Sequence, residues 1–269
     1  MLSSVPSNLP VLNPIANSYM HSWDALYTTE LTNHSENPAD EGTVWFDDSD
    51  AEAKIVSFLD EHALSDFGIN PSSEAVNIID LGCGNGSLLC ALAESGWRGR
   101  LLGVDYSEKS VQLARGVSRE RERRWKEEEG GDAEYGRVEF AVWDVIKGDL
   151  DVIIPKSEDG EKGKGFDVVL DKGTFDAISL SAEQDDRGRR INEGYGQRVL
   201  SLLRTGGIFV ITSCNWTEAE LKDWFEVKTE PTASGERLKV AGRIDYPSFS
   251  FGGVKGQTIS TLCLEKVAV

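Results

Sequence analysis

Five short apolar runs in this chain each stop on a polar residue, and stretches with helical periodicity lie around them. Residues 76–79 run into Asp80, 100–104 into Asp105, 137–142 into Trp143 and Asp144, and 166–170 into Asp171. The fifth run, 208–213, leads into Cys214 and Asn215. Apolar residues at helical spacing fill 50–64, with further helices expected at 87–94, from 107 to about 127 and from about 189 to 203. Unbroken apolar strands alternating with helices dictate an α/β fold, a mostly parallel sheet with helices on both faces. Such a sheet keeps its ligand at the carboxyl ends of its strands, where the polar residues fall. Two more strands are expected near 225–229 and 258–265.

The 269 residues suffice for one large core. We expect a tail over residues 1–17, with Pro6, Pro10 and Pro14, and a single domain over 18–269. Tyr19, Trp23, Tyr27, Trp45 and Phe46 are too many aromatics for a linker, so the segment before the first strand is expected to pack on the domain. The glycine- and charge-rich stretch 157–165 reads as a surface loop. No run approaches the roughly 18 apolar residues of a membrane span, and the first 17 residues lack the basic start of a secretory leader. With 28 basic against 46 acidic residues the formal charge is −18, which disfavours binding to nucleic-acid phosphates and favours a basic partner. The basic cluster 115–129 is interleaved with glutamates and reads as a solvated, salt-bridged helix face. Cys83, Cys90, Cys214 and Cys263 form no CxxC pair, and His21, His34 and His62 show no ligand spacing, so no metal is expected. The cysteine usage fits a reducing interior: we expect a cytoplasmic protein, also admissible in the nucleus, and a monomer.

The most informative stretch is Asp80-Leu81-Gly82-Cys83-Gly84-Asn85-Gly86. Glycines at alternate positions permit a sharp strand-to-helix turn and close approach of backbone to a ligand. A tight turn without a ligand would use the same residues. The spacing is GxGxG after an acid, unlike the GxGxxG that seats a pyrophosphate and would signal a nicotinamide enzyme. Asp105 then closes the next strand, 105 − 80 = 25 residues on, where a carboxylate can accept both hydroxyls of a ribose.

This pattern resembles the class I S-adenosylmethionine (SAM)-dependent methyltransferases, whose Rossmann-like domain has a seven-stranded sheet, mostly parallel with the last strand antiparallel. The resemblance implies that Asp80, Gly82, Gly84, Asn85 and Gly86 surround the methionine part of SAM. It places Asp105 at the ribose with Tyr106 beside the adenine, and Trp143 and Asp144 at the adenine amino group. A second motif narrows it: Val169-Leu170-Asp171-Lys172-Gly173-Thr174-Phe175-Asp176-Ala177-Ile178 is similar to that of methyltransferases acting on protein lysines. Trp23-Asp24-Ala25-Leu26-Tyr27, Val44-Trp45-Phe46, Ser213-Cys214-Asn215-Trp216-Thr217 and Phe249-Ser250-Phe251-Gly252-Gly253 extend it over nearly the whole chain. Together they resemble the family that methylates a lysine of eukaryotic translation elongation factor 1-alpha. The resemblance implies that factor as partner, SAM as cofactor and S-adenosylhomocysteine (SAH) as product. Ser22 departs from the pattern, because an aromatic usually precedes the Trp-Asp pair in that family.

Methyl transfer from a sulfonium to an amine is an in-line displacement, for which a protein supplies mainly proximity and orientation. The attacking lysine must shed its proton, and an apolar channel favours this by desolvation. Phe46, Phe175, Trp216, Tyr246, Phe249 and Phe251, with Trp45, are candidate channel walls; each could instead be core. Trp45 and Phe46 are the best candidates for a lid over the cofactor. Asp171 is the candidate that orients the incoming amine or holds the methionine ammonium; the alternative is capping of the helix ahead of Phe175. Lys172 reads as the structural partner of a neighbouring acid, and Asn215 equally well as a peptide donor or a turn residue. The same SAM half-site would serve a methyltransferase of another protein or a metabolite, or a module that binds without turnover.

Overall fold

A computed structural model describes residues 18–130, 134–154, 165–185, 187–251 and 254–268, with side chains described for these except 18–22 and 248–257. The expected tail 1–17, the loop 157–165 apart from Gly165, and the side chains of Phe249 and Phe251 lie outside the described residues.

The described residues begin with two helices, α1 (Ser18–Glu36) and α2 (Ala51–Phe67). An alternating series follows: β1 (Asn77–Leu81), α3 (Ser87–Ser95), β2 (Arg100–Asp105), α4 (Glu108–Glu129) and β3 (Arg137–Val142). A short α5 (Leu150–Ile153) leads to β4 (Phe166–Lys172), α6 (Thr174–Leu180), α7 (Tyr195–Leu202) and β5 (Leu203–Ser213). The last part holds α8 (Glu218–Lys222), β6 (Arg237–Ile244), the hairpin β7 (Ser248–Phe251) and β8 (Val254–Gln257), and β9 (Ser260–Val267). Seven strands form one sheet in the order β3-β2-β1-β4-β5-β9-β6. β1 to β5 pair in parallel, and β9 runs antiparallel between β5 and β6. The expected seven-stranded sheet with its antiparallel last strand is thus present.

The central strands bury both faces. Ile78, Leu101, Val168, Leu170, Ile208 and Val210 join the core beneath α2 and α3. Their chain neighbours Ile79, Leu102, Val169, Phe209 and Ile211 join the core on the opposite face with α7, as the two-residue period of a strand requires. Helix α2 presents Ile55, Leu59 and Ala63 at four-residue spacing and stops at Gly68, whose φ of 64° closes the helix in the left-handed region. Ser107 starts α4 by accepting from the Ser110 amide. The mixed charges of α4 do form an ion-paired face: Arg123 meets Glu120 and Glu127, and Lys126 meets Glu122.

Two expectations need correction. Residues 225–229 are not a strand. The Thr217–Glu220 capping box starts α8, and the turn continues as a π-helical segment, Asp223–Lys228. That turn rotates Phe225 into the core against Phe175 and Phe209. The strand is instead β6, twelve residues after Phe225. The helix expected over 189–203 begins with a 3-10 turn, Ile191–Gly194, and Leu203 already belongs to β5.

Candidate functional site

The sheet order reverses between β1 and β4, the crossover point at which an open α/β sheet parts to admit a ligand. A cavity of about 280 Å³ lies there. Asp80, Gly82, Gly84, Asn85, Asp105, Tyr106, Trp143 and Asp144 all line it, as do Trp45, Phe46 and Asn215. The sequence motifs therefore converge on one space.

The glycine loop is built by backbone conformations that side chains disfavour. Gly82, Gly84 and Gly86 have φ of 66°, 56° and 77°. Gly86 plays a packing part and does not line the cavity: a Cβ on it would lie 2.5 Å from the Phe140 ring. Asp105 Oδ1 accepts from the Ser107 amide at 2.9 Å, and Oδ2 accepts from Ser110 Oγ at 2.8 Å and the Gly84 amide at 3.3 Å. These bonds restrain the carboxyl, although burial still pushes its pKa up. Asp80 differs. It is 2 % exposed and lines the cavity, and its carboxyl accepts no hydrogen bond among the described residues. Burial pushes its pKa up to about 8, against the opposing pull of Lys172. At the far side Trp143 lies under the Arg198 guanidinium, 5.2 Å from its ring, and donates to the Asp149 carbonyl. Asp144 Oδ1 accepts from the Ile146 and Lys147 amides.

The N-terminal segment closes over this floor and is fastened from three elements. Asp24 accepts from Ser107 Oγ at 2.5 Å, Asn85 donates to the Glu41 carbonyl at 2.9 Å, and Lys172 reaches the Trp45 carbonyl at 3.3 Å. Phe46 and Asp50 bracket a 3-10 turn with φ of 64° and 52°. Left-handed backbone at such residues costs roughly 1 kcal/mol or more each. Here it turns the Phe46 ring to within 3.3 Å of where a Gly173 Cβ would stand. Trp45 meets Trp23 edge-on at 5.2 Å.

Other expected residues lie elsewhere. Asp171 is not among the cavity-lining residues. Register explains why: Asp80 pairs with Leu170, so Asp80, Leu170 and Lys172 share one face and Asp171 takes the other. There Asp171 Oδ1 accepts from the Thr174 amide at 2.8 Å, and Oδ2 accepts from the Phe175 amide at 3.1 Å and the Tyr195 hydroxyl at 2.5 Å. The capping alternative is what this geometry displays. Burial pushes its pKa up to about 7 while those bonds oppose the rise. Phe175 is fully buried among Tyr195, Trp216, Trp224 and Phe225. Trp216 packs in that cluster, and Tyr246 is buried with its hydroxyl 2.8 Å from Thr261. Phe175 and Tyr246 are core in this structure, and Trp216 is half-buried against that core.

Several lining residues were not placed at the cofactor site from sequence: Trp23, Tyr27, Lys172, Asp176, Leu180 and Cys214. Asp176 is 5 % exposed, accepts from the Cys214 amide at 2.8 Å and from Ser213 Oγ, and so holds the loop that carries Asn215. Its place in the fourth-strand motif was the one available signal. No group of three or more His, Cys, Asp or Glu arranged for a metal occurs among the described residues.

Residues 72–253 match a methyltransferase-domain family. The chain is 38% identical over 244 residues to protein-lysine N-methyltransferase EFM4 of Saccharomyces cerevisiae, covering 91% of this chain and 92% of that protein. It is 30% identical over 244 residues to EEF1A lysine methyltransferase 2 of Danio rerio, covering 91% of this chain and 85% of that one. Among solved structures, magnesium protoporphyrin IX methyltransferase from Synechocystis, with bound SAM, superposes with a TM-score of 0.52 at 15% identity. That superposition covers 96% of this chain and 100% of the other and speaks for the fold alone.

Proposed function

This chain belongs to the SAM-dependent methyltransferases, in the family of protein-lysine N-methyltransferase EFM4, and from that premise we propose that its methyl acceptor is a lysine of translation elongation factor 1-alpha. The observation that carries the proposal is the match, over 91% of this chain, to relatives named protein-lysine N-methyltransferase and EEF1A lysine methyltransferase 2. The charge of −18 supports it, since complementary charge steers encounter with a basic partner. The proposal places the reaction in the cytoplasm.

The cavity suits the cofactor on the chain's own terms. Asp80 is a buried carboxylate without a donor, as an ammonium-binding group would be before its ligand arrives. Its assignment to the methionine ammonium supersedes that of Asp171, whose oxygens are engaged on the other face. Asp105 keeps acceptor capacity beyond its three bonds for ribose hydroxyls. Asp144 commits one oxygen to its own loop, which leaves the other for an adenine amino group. Bound SAM supplies an activated methyl group. Beyond the cofactor residues the cavity continues past Ala177, Ile178, Leu180 and Ile191. These apolar side chains, which line the cavity together with the Lys147–Glu183 pair, favour the free amine that attacks by desolvating an incoming ammonium. Asp176, beside Cys214 and Asn215, positions the loop at that end.

The test is incubation of the full chain with labelled SAM and purified elongation factor 1-alpha, followed by peptide mass mapping, with Asp80→Ala as control. Label on one lysine, lost in the control, is expected. SAM binding without label on that protein would overturn the substrate and leave the fold standing.

A further inference from the structure

Lys172 is a largely covered cation in the cavity that has so far been given only the anchoring of the Trp45 carbonyl. Its side chain is 13% exposed, and it shares the sheet face of Asp80 because Leu170, two residues before it, pairs with Asp80. The partners that neutralise it are loosely held. Lys172 Nζ lies 3.3 Å from Glu52 Oε1 and 3.3 Å from the Trp45 carbonyl, whereas charge-assisted bonds settle at roughly 2.7–2.9 Å. Glu52 Oε1 is itself already the acceptor of Ser87 Oγ at 2.7 Å. An ammonium has three donors, and here two are engaged at long range. This corner therefore holds one under-committed cation beside one carboxylate that has no donor.

We propose that Lys172 receives the α-carboxylate of the cofactor's methionine moiety while Asp80 takes its α-ammonium. An amino-acid zwitterion supplies an ammonium for the carboxyl that has no donor and a carboxylate for the cation whose contact with Glu52 is long. The other cation lining the cavity among the described residues is Lys147. Its side chain is 69% exposed, it sits in the loop after Trp143 and Asp144, and it pairs with Glu183 at 3.7 Å. It belongs to the opposite end of the site. Because Lys172 also reaches the Trp45 carbonyl, the residue that binds the carboxylate is the one that anchors the aromatic lid.

This inference rests on the SAM reading, and its experiment separates the two. Calorimetric titration of the full chain and of Lys172→Met with SAH and with 5′-methylthioadenosine, which has the nucleoside thioether but no amino acid, isolates the carboxylate. SAH affinity is expected to fall roughly 10- to 100-fold in Lys172→Met, with 5′-methylthioadenosine changed less than about twofold. Lys172→Arg, which keeps the charge, is expected to recover most of the loss. Equal weakening of both ligands in Lys172→Met, or no change in SAH affinity, would overturn the assignment. Failure of the unmodified chain to bind SAH would instead overturn the SAM reading itself. Retained 5′-methylthioadenosine binding shows that the variant is folded.

Discussion

The two faces of the sheet at the β1/β4 crossover end in carboxylates of opposite character. On one face Asp80 stands without a donor beside Lys172, opening onto the cavity. On the other, one residue away in register, Asp171 is saturated by two amides and a phenol and roofed by Phe175 and Tyr195. Both are buried, and burial raises the pKa of each. The difference is what surrounds them. Asp171 is satisfied by its own fold, so its contribution is to shape. Asp80 is unsatisfied by its own fold, so its contribution awaits a ligand.

Substitution should separate the two. Asp171→Ala strands the Tyr195 hydroxyl and two amide donors in the core and is expected to cost about 3 kcal/mol, read from the midpoint of urea unfolding. An unchanged midpoint with lost turnover would return Asp171 to the reacting groups. Asp80→Ala should do the reverse. Stability is held or raised, because an unpaired buried carboxylate is removed, while SAH affinity drops roughly 10- to 100-fold by calorimetry.

pH sharpens the contrast. With its pKa at about 8, Asp80 keeps a proton in the cofactor-free chain that an ammonium ligand must displace. Affinity for SAH should therefore rise as pH climbs from 6 towards 8, by up to roughly 50-fold, with a proton released on binding. Asp80→Asn should flatten that slope. The folded-state proton has its own consequence for the free chain. The unfolded carboxyl loses its proton near pH 4, so the stability this raised pKa confers is full below that and is lost as pH rises through about 8. The smallest effect expected is that of Trp45→Ala, which removes an edge-on contact with Trp23 and part of the lid. SAH should bind about threefold more weakly with stability nearly unchanged.

The strands and the cavity floor were legible because buried parallel strands are unbroken apolar runs and their terminal acids announce the ligand end. What was not legible depended on partners distant in sequence. Nothing local shows that Asp171 faces away from Asp80; that follows from Leu81 lying level with Asp171 across the sheet. The part played by Asp176 comes from Ser213 and Cys214, on another strand end. β6 escaped because it borders the sheet: in Arg237–Ile244 the buried positions are Leu238 and Ile244, so its apolar signal is thin. Phe225 misled because an aromatic–aliphatic alternation looks like a strand until the Thr217 cap commits the chain to a helical turn.

The position of β9 has a consequence for the order of assembly. It is the last sheet strand to be synthesised, yet it lies between β5 and β6 and supplies ladders to both. Until residues 260–267 leave the ribosome, the buried edge of β5, with Phe209 and Ile211, has no neighbour on that side. The growing chain must carry that sticky edge while the residues between β5 and β9 are made, and its closure is the kind of long-range step that chaperones protect.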